Sequence, residues 1–188
     1  TGLSLPEIIP LSLPAVINRC RQPVVGRFHD EWSQREVRDA RVVVIGIHWY
    51  MGLAPALRLA ERVRRVNRNA TLVTGGLSAS LFAPQILARS AFDFVVRGDS
   101  ARPLADLVDA LLEGGDPYAV ANVWSREGAS AKRYALTQAD LDESDFRDLS
   151  WFPSLRARLE RLHAMSSART FSTWPYLVVL RGCPKACP

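Results

Sequence analysis

Arg41-Val-Val-Val-Ile-Gly-Ile47 is the stretch on which the fold turns. A near-unbroken β-branched run of this kind suits a strand covered on both faces of a parallel sheet, where no alternation with polar residues is needed. Residues 53–67 follow, with Leu53, Ala56, Leu57, Ala60 and Val63 on one helical stripe and Arg58, Glu61, Arg62 and Arg65 on the other. Strand and amphipathic helix together predict a crossover unit. The arginines of that helix read as a solvated face.

Downstream the unit repeats. Ala70-Thr-Leu-Val-Thr74 predicts a second buried strand, Gly75-Gly76 a tight turn, and residues 84–89 a short helix with Pro84 near its first turn. Phe92-Asp-Phe-Val-Val96 predicts a third strand and Arg97-Gly98-Asp99-Ser100 a polar turn. Residues 103–113 then form a helix with Leu104, Leu107, Val108 and Leu111 inward, and Gly114 stands where a C-cap is needed. Repeated strand–helix units imply right-handed crossovers and an α/β, doubly wound parallel sheet. Upstream, residues 22–28 with Val24-Val25 fit a further strand, and residues 29–39 with Trp32 and Val37 fit a short amphipathic helix. The strand count also leaves room for a first strand before Thr1. Residues 1–19 are apolar and broken by proline, with a short helix starting near Pro14.

After Pro117 the pattern changes. Ala121-Asn-Val-Trp-Ser125, a Glu127-Gly128 turn and Lys132-Arg-Tyr134 read as a small hairpin, with Trp124 packing it onto the sheet. Residues 137–174 hold Asp140, Asp142, Glu143, Asp145 and Asp148, an arginine-rich helical stretch and a Ser/Thr-rich tail, and read as a linker. The division expected is an α/β domain over 1–116, a hairpin extension over 117–136, a linker over 137–174 and the start of a second domain over 175–188.

The 188 residues are 48% hydrophobic and 23% charged, ordinary values for a globular protein. That length buries roughly 70% of the surface of the unfolded chain. A net charge of +5 comes from arginines spread along the chain, without a dense basic run interleaved with aromatics, so nucleic acid is not an expected partner. Three cysteines, Cys20, Cys183 and Cys187, argue against a secreted disulfide framework and for a reducing compartment, by default the cytoplasm. Cys20 reads as a small buried hydrophobe. No apolar run is long enough for a membrane span, and the N-terminal stretch lacks a basic leader.

Ligands of open parallel sheets sit beyond the C-terminal ends of the strands, where strand order reverses. Three loops leave such ends. Ile47-His48-Trp49-Tyr50-Met51-Gly52 is large, apolar and aromatic, and suits a broad flat ligand better than a phosphate. Gly75-Gly76-Leu77-Ser78-Ala79-Ser80 offers close backbone approach with hydroxyls alongside, and Arg97-Gly98-Asp99 is the third. His48 is either a ligand-facing imidazole or a hydrogen-bonded pocket or core histidine, and Trp49, Tyr50 and Met51 either face a ligand or cover the sheet edge. Neither G-x-G-x-x-G nor G-x-x-x-x-G-K-[ST] occurs. A receiver domain would need an aspartate where Ile47-His48 stand.

Tyr176-Leu-Val-Val-Leu-Arg-Gly-Cys-Pro-Lys-Ala-Cys187 closes the chain, a strand-like run leading through Gly182 into two cysteines. Alone it is a zinc half-site, an ordinary pair of loop cysteines or part of an iron–sulfur site, whose usual ligands are thiolates. A third cysteine three places beyond Cys187 would complete C-x-x-x-C-x-x-C. The expectation is that the chain is a piece of a longer one, cut inside a cluster motif.

Taken in order, Val43 to Gly52, Val73-Thr-Gly-Gly76, Asp93-Phe-Val-Val-Arg-Gly-Asp99, Asn122-Val-Trp124 and Arg181-Gly-Cys-Pro-x-x-Cys187 resemble the cobalamin-binding-domain class of radical S-adenosylmethionine (SAM) enzymes. The resemblance covers roughly residues 40–188 and implies a flavodoxin-like (Rossmann-like) cobalamin domain followed by a partial (β/α) barrel that begins at residues 176–180. It implies that His48, Trp49, Tyr50, Met51, Gly75, Gly76, Leu77, Ser78, Arg97, Gly98 and Asp99 line the cobalamin, and that Cys183 and Cys187 ligate a 4Fe-4S cluster used with SAM. The activity implied is methyl transfer to an unactivated carbon of a small molecule or peptide, with rearrangement in some relatives. Its partners would be the C-terminal barrel and an electron donor such as flavodoxin or ferredoxin. The chain has no D-x-H-x-x-G: Arg27, Gly46 and Arg161 stand two places before His29, His48 and His163. Leu77-Ser78 follow Gly76 where relatives often carry Pro-His. A rival from another class is a binding module for cobalamin or a nucleotide with incidental cysteines.

Overall fold

The fold is known from a computed structural model that describes residues 33–142 together with Ala157. Strands β1 (Val42–Gly46), β2 (Thr71–Gly75), β3 (Phe94–Val96) and β4 (Val123–Ser125) form one sheet in the order β1-β2-β3-β4. β1, β2 and β3 are parallel, with Val42 opposite Thr71 and Gly75 opposite Val96, so their C-terminal ends lie along one edge. β4 is antiparallel to β3. Among these strands the order runs monotonically, so the edge that carries the loops contains no reversal.

The helices are α1 (Gln34–Asp39), α2 (Leu53–Val66), α3 (Leu77–Leu81), α4 (Ala83–Arg89), α5 (Ala101–Glu113) and α6 (Gln138–Asp142). Alternation along each strand sends successive side chains to opposite faces. Ile45, Ile47, Leu72 and Val95 therefore pack with Val37 of α1, Ala56, Ala60 and Val63 of α2, and Ile86 and Leu87 of α4. On the other face Val73, Val96 and Val123 pack with Leu104, Leu107 and Val108 of α5. Both faces are covered, which is why the strands need no polar alternation. This is the expected Rossmann-like α/β arrangement. Among the described residues no helix is long and apolar enough to cross a membrane.

Local chemistry sets the ends. Ser33 and Glu36 form a capping box at α1, with the Glu36 amide donating to Ser33 Oγ at 3.2 Å and the Ser33 amide to Glu36 Oε2 at 2.9 Å. Gly114 ends α5 in the left-handed region at φ 77°, as its position in the sequence predicts. The hairpin turns at residues 126–128, where the Ser125 amide donates to the Gly128 carbonyl at 2.8 Å, and Trp124 bridges to Ala129. Its first arm, β4, extends the sheet, but the return arm expected at Lys132-Arg-Tyr134 is not a strand: the tight turn brings Ala129 opposite Trp124 and lets the Ser130 amide donate to the Val123 carbonyl at 2.8 Å, so the return pairing falls earlier, at residues 129–130.

Arg64 departs from the solvated face expected of its helix. Its guanidinium donates to the carbonyls of Ala70 at 2.7 Å and Ala91 at 3.0 Å and to Asp93 Oδ2 at 2.6 Å. Asp93 Oδ2 also accepts the Leu72 amide at 2.8 Å. Arg64 thus pins α2 to the N-terminal ends of β2 and β3, at the edge away from the ligand loops.

α6 falls in the stretch read as a linker. There Asp140 Oδ2 accepts from Thr137 Oγ1 at 2.6 Å and from the Thr137 amide at 3.0 Å. These bonds, led by the hydroxyl, hold the Asp140 carboxyl at about 2, below its ordinary 3.8. A lowered carboxyl stabilises the fold fully above its unfolded value, and that contribution fades as pH falls from about 4 to about 2. In Thr137→Val the Asp140 carboxyl is expected to titrate closer to its ordinary value, read from its carboxyl carbon shift by NMR. An unchanged titration would remove the hydroxyl as the cause.

Candidate functional site

Three loops leave the C-terminal ends of β1, β2 and β3, and hydrogen bonds tie them into one surface. After β1, the Ile47 amide donates to the Gly75 carbonyl at 2.8 Å, which holds Ile47 inside the sheet edge. His48 is half-buried, and its ring meets that of Trp49 edge-on, with centroids 5.2 Å apart. Tyr50–Gly52 then form a single 3-10 turn.

The second loop crosses very close to the first. Gly76 adopts φ 109°, and a Cβ there would lie 2.7 Å from the Ile47 carbonyl oxygen. Only glycine permits this backbone conformation and this approach. The chain then turns directly into α3, whose Ser78 donates from both its amide and its Oγ to the His48 carbonyl at 3.1 Å. Gly75 faces the Val96 carbonyl, 3.3 Å from where its Cβ would stand. The two glycines are therefore accounted for by contact between strands and loops.

Ser80 joins the third loop. It accepts from Arg97 Nε at its carbonyl at 3.0 Å and from the Gly98 amide at its Oγ at 2.8 Å. The Arg97 guanidinium lies 4.1 Å above the Trp124 ring. Asp99 Oδ2 accepts the Leu136 amide at 2.9 Å, and Asn122 donates to the Asp99 carbonyl at 3.2 Å. The structure thus brings together the loops holding His48–Met51, Gly75–Ser78 and Arg97–Asp99, while the hydroxyls of Ser78 and Ser80 bond within the protein.

What this surface offers outward is apolar. Trp49 is 50% exposed, Tyr50 70%, Met51 55%, Leu77 51% and Leu81 66%, with Phe82 beside them. Large apolar side chains held in water at one edge mark a surface that meets a ligand or a partner. Leu81 and Phe82 are absent from the residues picked out by sequence. Leu77 and Leu81 stand four apart on α3, a helical spacing that would have signalled a shared face had the stretch been read as a helix.

At the opposite edge a cleft of about 430 Å³ is lined by Arg38, Asp39, Arg41, Asn67, Asn69 and Thr71 among others. Arg41 there donates to the Leu112 carbonyl at 2.8 Å, and the Asn67 amide group donates to the carbonyls of Val37, Arg38 and Ala40. Both side chains serve the fold. Among the described residues no group of three or more His, Cys, Asp or Glu is placed to hold a metal ion. Cys183 and Cys187, the candidate cluster ligands, lie outside the described residues, as do Cys20, residues 22–28 and the strand expected at residues 176–180.

No protein-family model matches the chain, and no curated protein sequence matches it. Among solved structures the chain is similar to the radical S-adenosylmethionine methyltransferase TsrM from Kitasatospora setae, determined with its tryptophan substrate and the SAM analogue aza-SAM. The identity is 14% and the TM-score 0.49, over 68% of this chain and 28% of that one. The chain thus spans little more than a quarter of that structure's length.

Proposed function

We propose that this chain is the cobalamin-binding N-terminal part of a radical SAM enzyme, in the whole protein a methyltransferase acting at an unactivated carbon. The observation that carries the reading is the platform of exposed Trp49, Tyr50, Met51, Leu77, Leu81 and Phe82 at the C-terminal edge of the parallel strands. Its chemistry fits a broad, flat, largely apolar group such as a corrin. A phosphate-led ligand fits less well, because Arg97, the cation of these loops, is bonded to the Ser80 carbonyl and stacked on Trp124. A nucleotide-binding module is therefore the weaker alternative, and a non-catalytic cobalamin carrier the stronger one.

In this reading Trp49, Tyr50, Met51, Leu77 and Leu81 would hold the macrocycle and exclude water from one face. His48, fixed through its carbonyl by Ser78 and edge-on to Trp49, would orient the first loop. When bound, cobalamin supplies a transferable methyl group, and a cluster with SAM, ligated in part by Cys183 and Cys187, supplies the radical that opens the carbon. The protein's share is to position these groups. The barrel beyond this chain, a small-molecule or peptide substrate and a flavodoxin- or ferredoxin-type electron donor belong to the same proposal.

Hydroxocobalamin incubated with the purified chain should co-elute with it on size exclusion as a visible corrin spectrum. Cys183→Ala with Cys187→Ala should leave that retention unchanged, because the cysteines serve a different cofactor. A chain that elutes colourless sinks the reading.

A further inference from the structure

α3 carries Leu77 and Leu81, the two leucines of the apolar platform, yet little in its own sequence holds it in place. It is five residues long, too short to be stable alone, and it starts at Gly76, which has no side chain to cap it. Its far end is weaker still. In a continuing helix the Ser80 carbonyl would accept from the amide four residues on, but that residue is Pro84, which has no N–H. A proline ring also presses on the carbonyl four residues before it, and so breaks the helix there. The chain accordingly pauses at Phe82 and restarts as α4. The Ser80 carbonyl is thus an orphan acceptor at a helix end, and such groups need a donor from elsewhere.

The donor comes from the neighbouring strand. Arg97 leaves the end of β3 with its amide bonded to the Asn122 carbonyl at 2.9 Å, which fixes its backbone. Its Nε donates to the Ser80 carbonyl at 3.0 Å, while its guanidinium lies 4.1 Å above the Trp124 ring of β4. The ring limits where the guanidinium can go, and the positive charge strengthens the bond to the carbonyl. One residue on, the Gly98 amide donates to Ser80 Oγ at 2.8 Å, and that hydroxyl donates to the Gly76 carbonyl at 2.8 Å. The start of α3 is therefore bound to Ser80, and Ser80 is bound to the loop after β3.

We propose that Arg97 is a positioning residue: standing in for the amide that Pro84 lacks, it holds α3 at Ser80 and so sets where Leu77 and Leu81 stand at the strand edge. It acts through Ser80 and does not itself touch the ligand. The loop after β3, expected to line the cobalamin, then serves as the bracket on which part of the platform is mounted. As far as it concerns the ligand, this rests on the corrin reading above.

The first test is NMR on the intact chain without cofactor, so its outcome is separate from that of corrin retention. In the unaltered chain the Arg97 Nε proton should be shifted upfield by the Trp124 ring. It should also exchange with water at least about tenfold more slowly than the Nε protons of the exposed Arg58 and Arg65. Arg97→Met keeps the apolar stem and removes the donor. It should speed amide exchange at Ser80 and Phe82 by about 10-fold or more, the scale of one hydrogen bond to a charged group, while Leu72 and Val73 stay protected. The methyl shifts of Leu77 and Leu81 should move in the same variant. Hydroxocobalamin is the second probe, and its dissociation constant should rise by about 10-fold in Arg97→Met. Unchanged exchange at Ser80 and Phe82 overturns the proposal. So does an Arg97 Nε proton that exchanges freely in the unaltered chain, whether or not the variant folds. Weaker corrin binding with α3 unaltered would make Arg97 a direct contact, and unchanged binding with α3 loosened would separate α3 from the ligand; either result also overturns it. An unaltered chain that retains no corrin overturns the reading of the ligand and leaves the exchange results to decide for Arg97.

Discussion

Gly76→Ala is expected to cost about 2–6 kcal/mol of stability, a large part of the 5–15 kcal/mol that holds a typical domain folded. Two penalties add. At φ 109° and ψ 178° the residue occupies a region essentially reserved for glycine, which costs a side chain about 1–3 kcal/mol. The new Cβ also lands 2.7 Å from the Ile47 carbonyl oxygen, a backbone atom that yields only if the loops move, and overpacking of this kind costs about 1–3 kcal/mol more. Because that contact joins the loops after β1 and β2, the distortion falls on the platform itself. Gly52→Ala is the control: nothing lies within 4 Å of its Cβ and its φ is −78°, so the change should be neutral or stabilise by up to about 1 kcal/mol. In urea the midpoint of Gly76→Ala should fall by about 1 M or more at unchanged slope. An equal midpoint for the two variants would mean that the close crossing at Gly76 does not exist in solution.

That crossing also shows where the sequence is silent. The β-branched run of β1 and the stripe Ala56, Ala60 and Val63 announce their structures because one periodicity decides one burial pattern. The Gly75-Gly76 pair carries no such period. Two glycines signal that something comes close, whether a ligand or another stretch of backbone, and only the fold identifies it as Ile47. Residues 77–81 are missed as a helix for a related reason, since five residues with two serines make barely more than a turn and their start is a glycine with no side chain to cap it. Arg64 follows Val63 at the margin of the apolar stripe. Its stem can lie along the sheet while its guanidinium reaches carbonyls at the strand ends, a long-range match that helical periodicity does not encode. The three ligand loops were legible as loops because they follow strands. Their union into one surface, through Ser78, Ser80 and Arg97, was not, since it depends on which strands are neighbours.

Leu77→Asp is expected to weaken retention of hydroxocobalamin by about 10- to 100-fold while leaving the fold nearly as stable as before. Leu77 is 51% exposed in the described chain, so its side chain contributes little to the core. Substitutions at such positions usually change stability by about 0.5 kcal/mol or less. A corrin seated on the platform would bury the exposed half of the side chain, and since full burial of a leucine is worth about 1.5–3 kcal/mol this half is worth about 0.8–1.5 kcal/mol, each 1.4 kcal/mol being tenfold in affinity. The aspartate loses that term and also resists desolvation against an apolar ring, and the two together place the effect at about 10- to 100-fold. Tyr50→Asp tests the neighbouring loop in the same way, and a like reduction from both would tie the two loops to one ligand. Arg126→Ala, on the hairpin turn away from these loops, should retain the corrin fully. The split between binding and stability decides the matter. If Leu77→Asp and Tyr50→Asp bind as the parent does, the exposed apolar side chains serve a protein contact, and any corrin that the chain retains sits elsewhere.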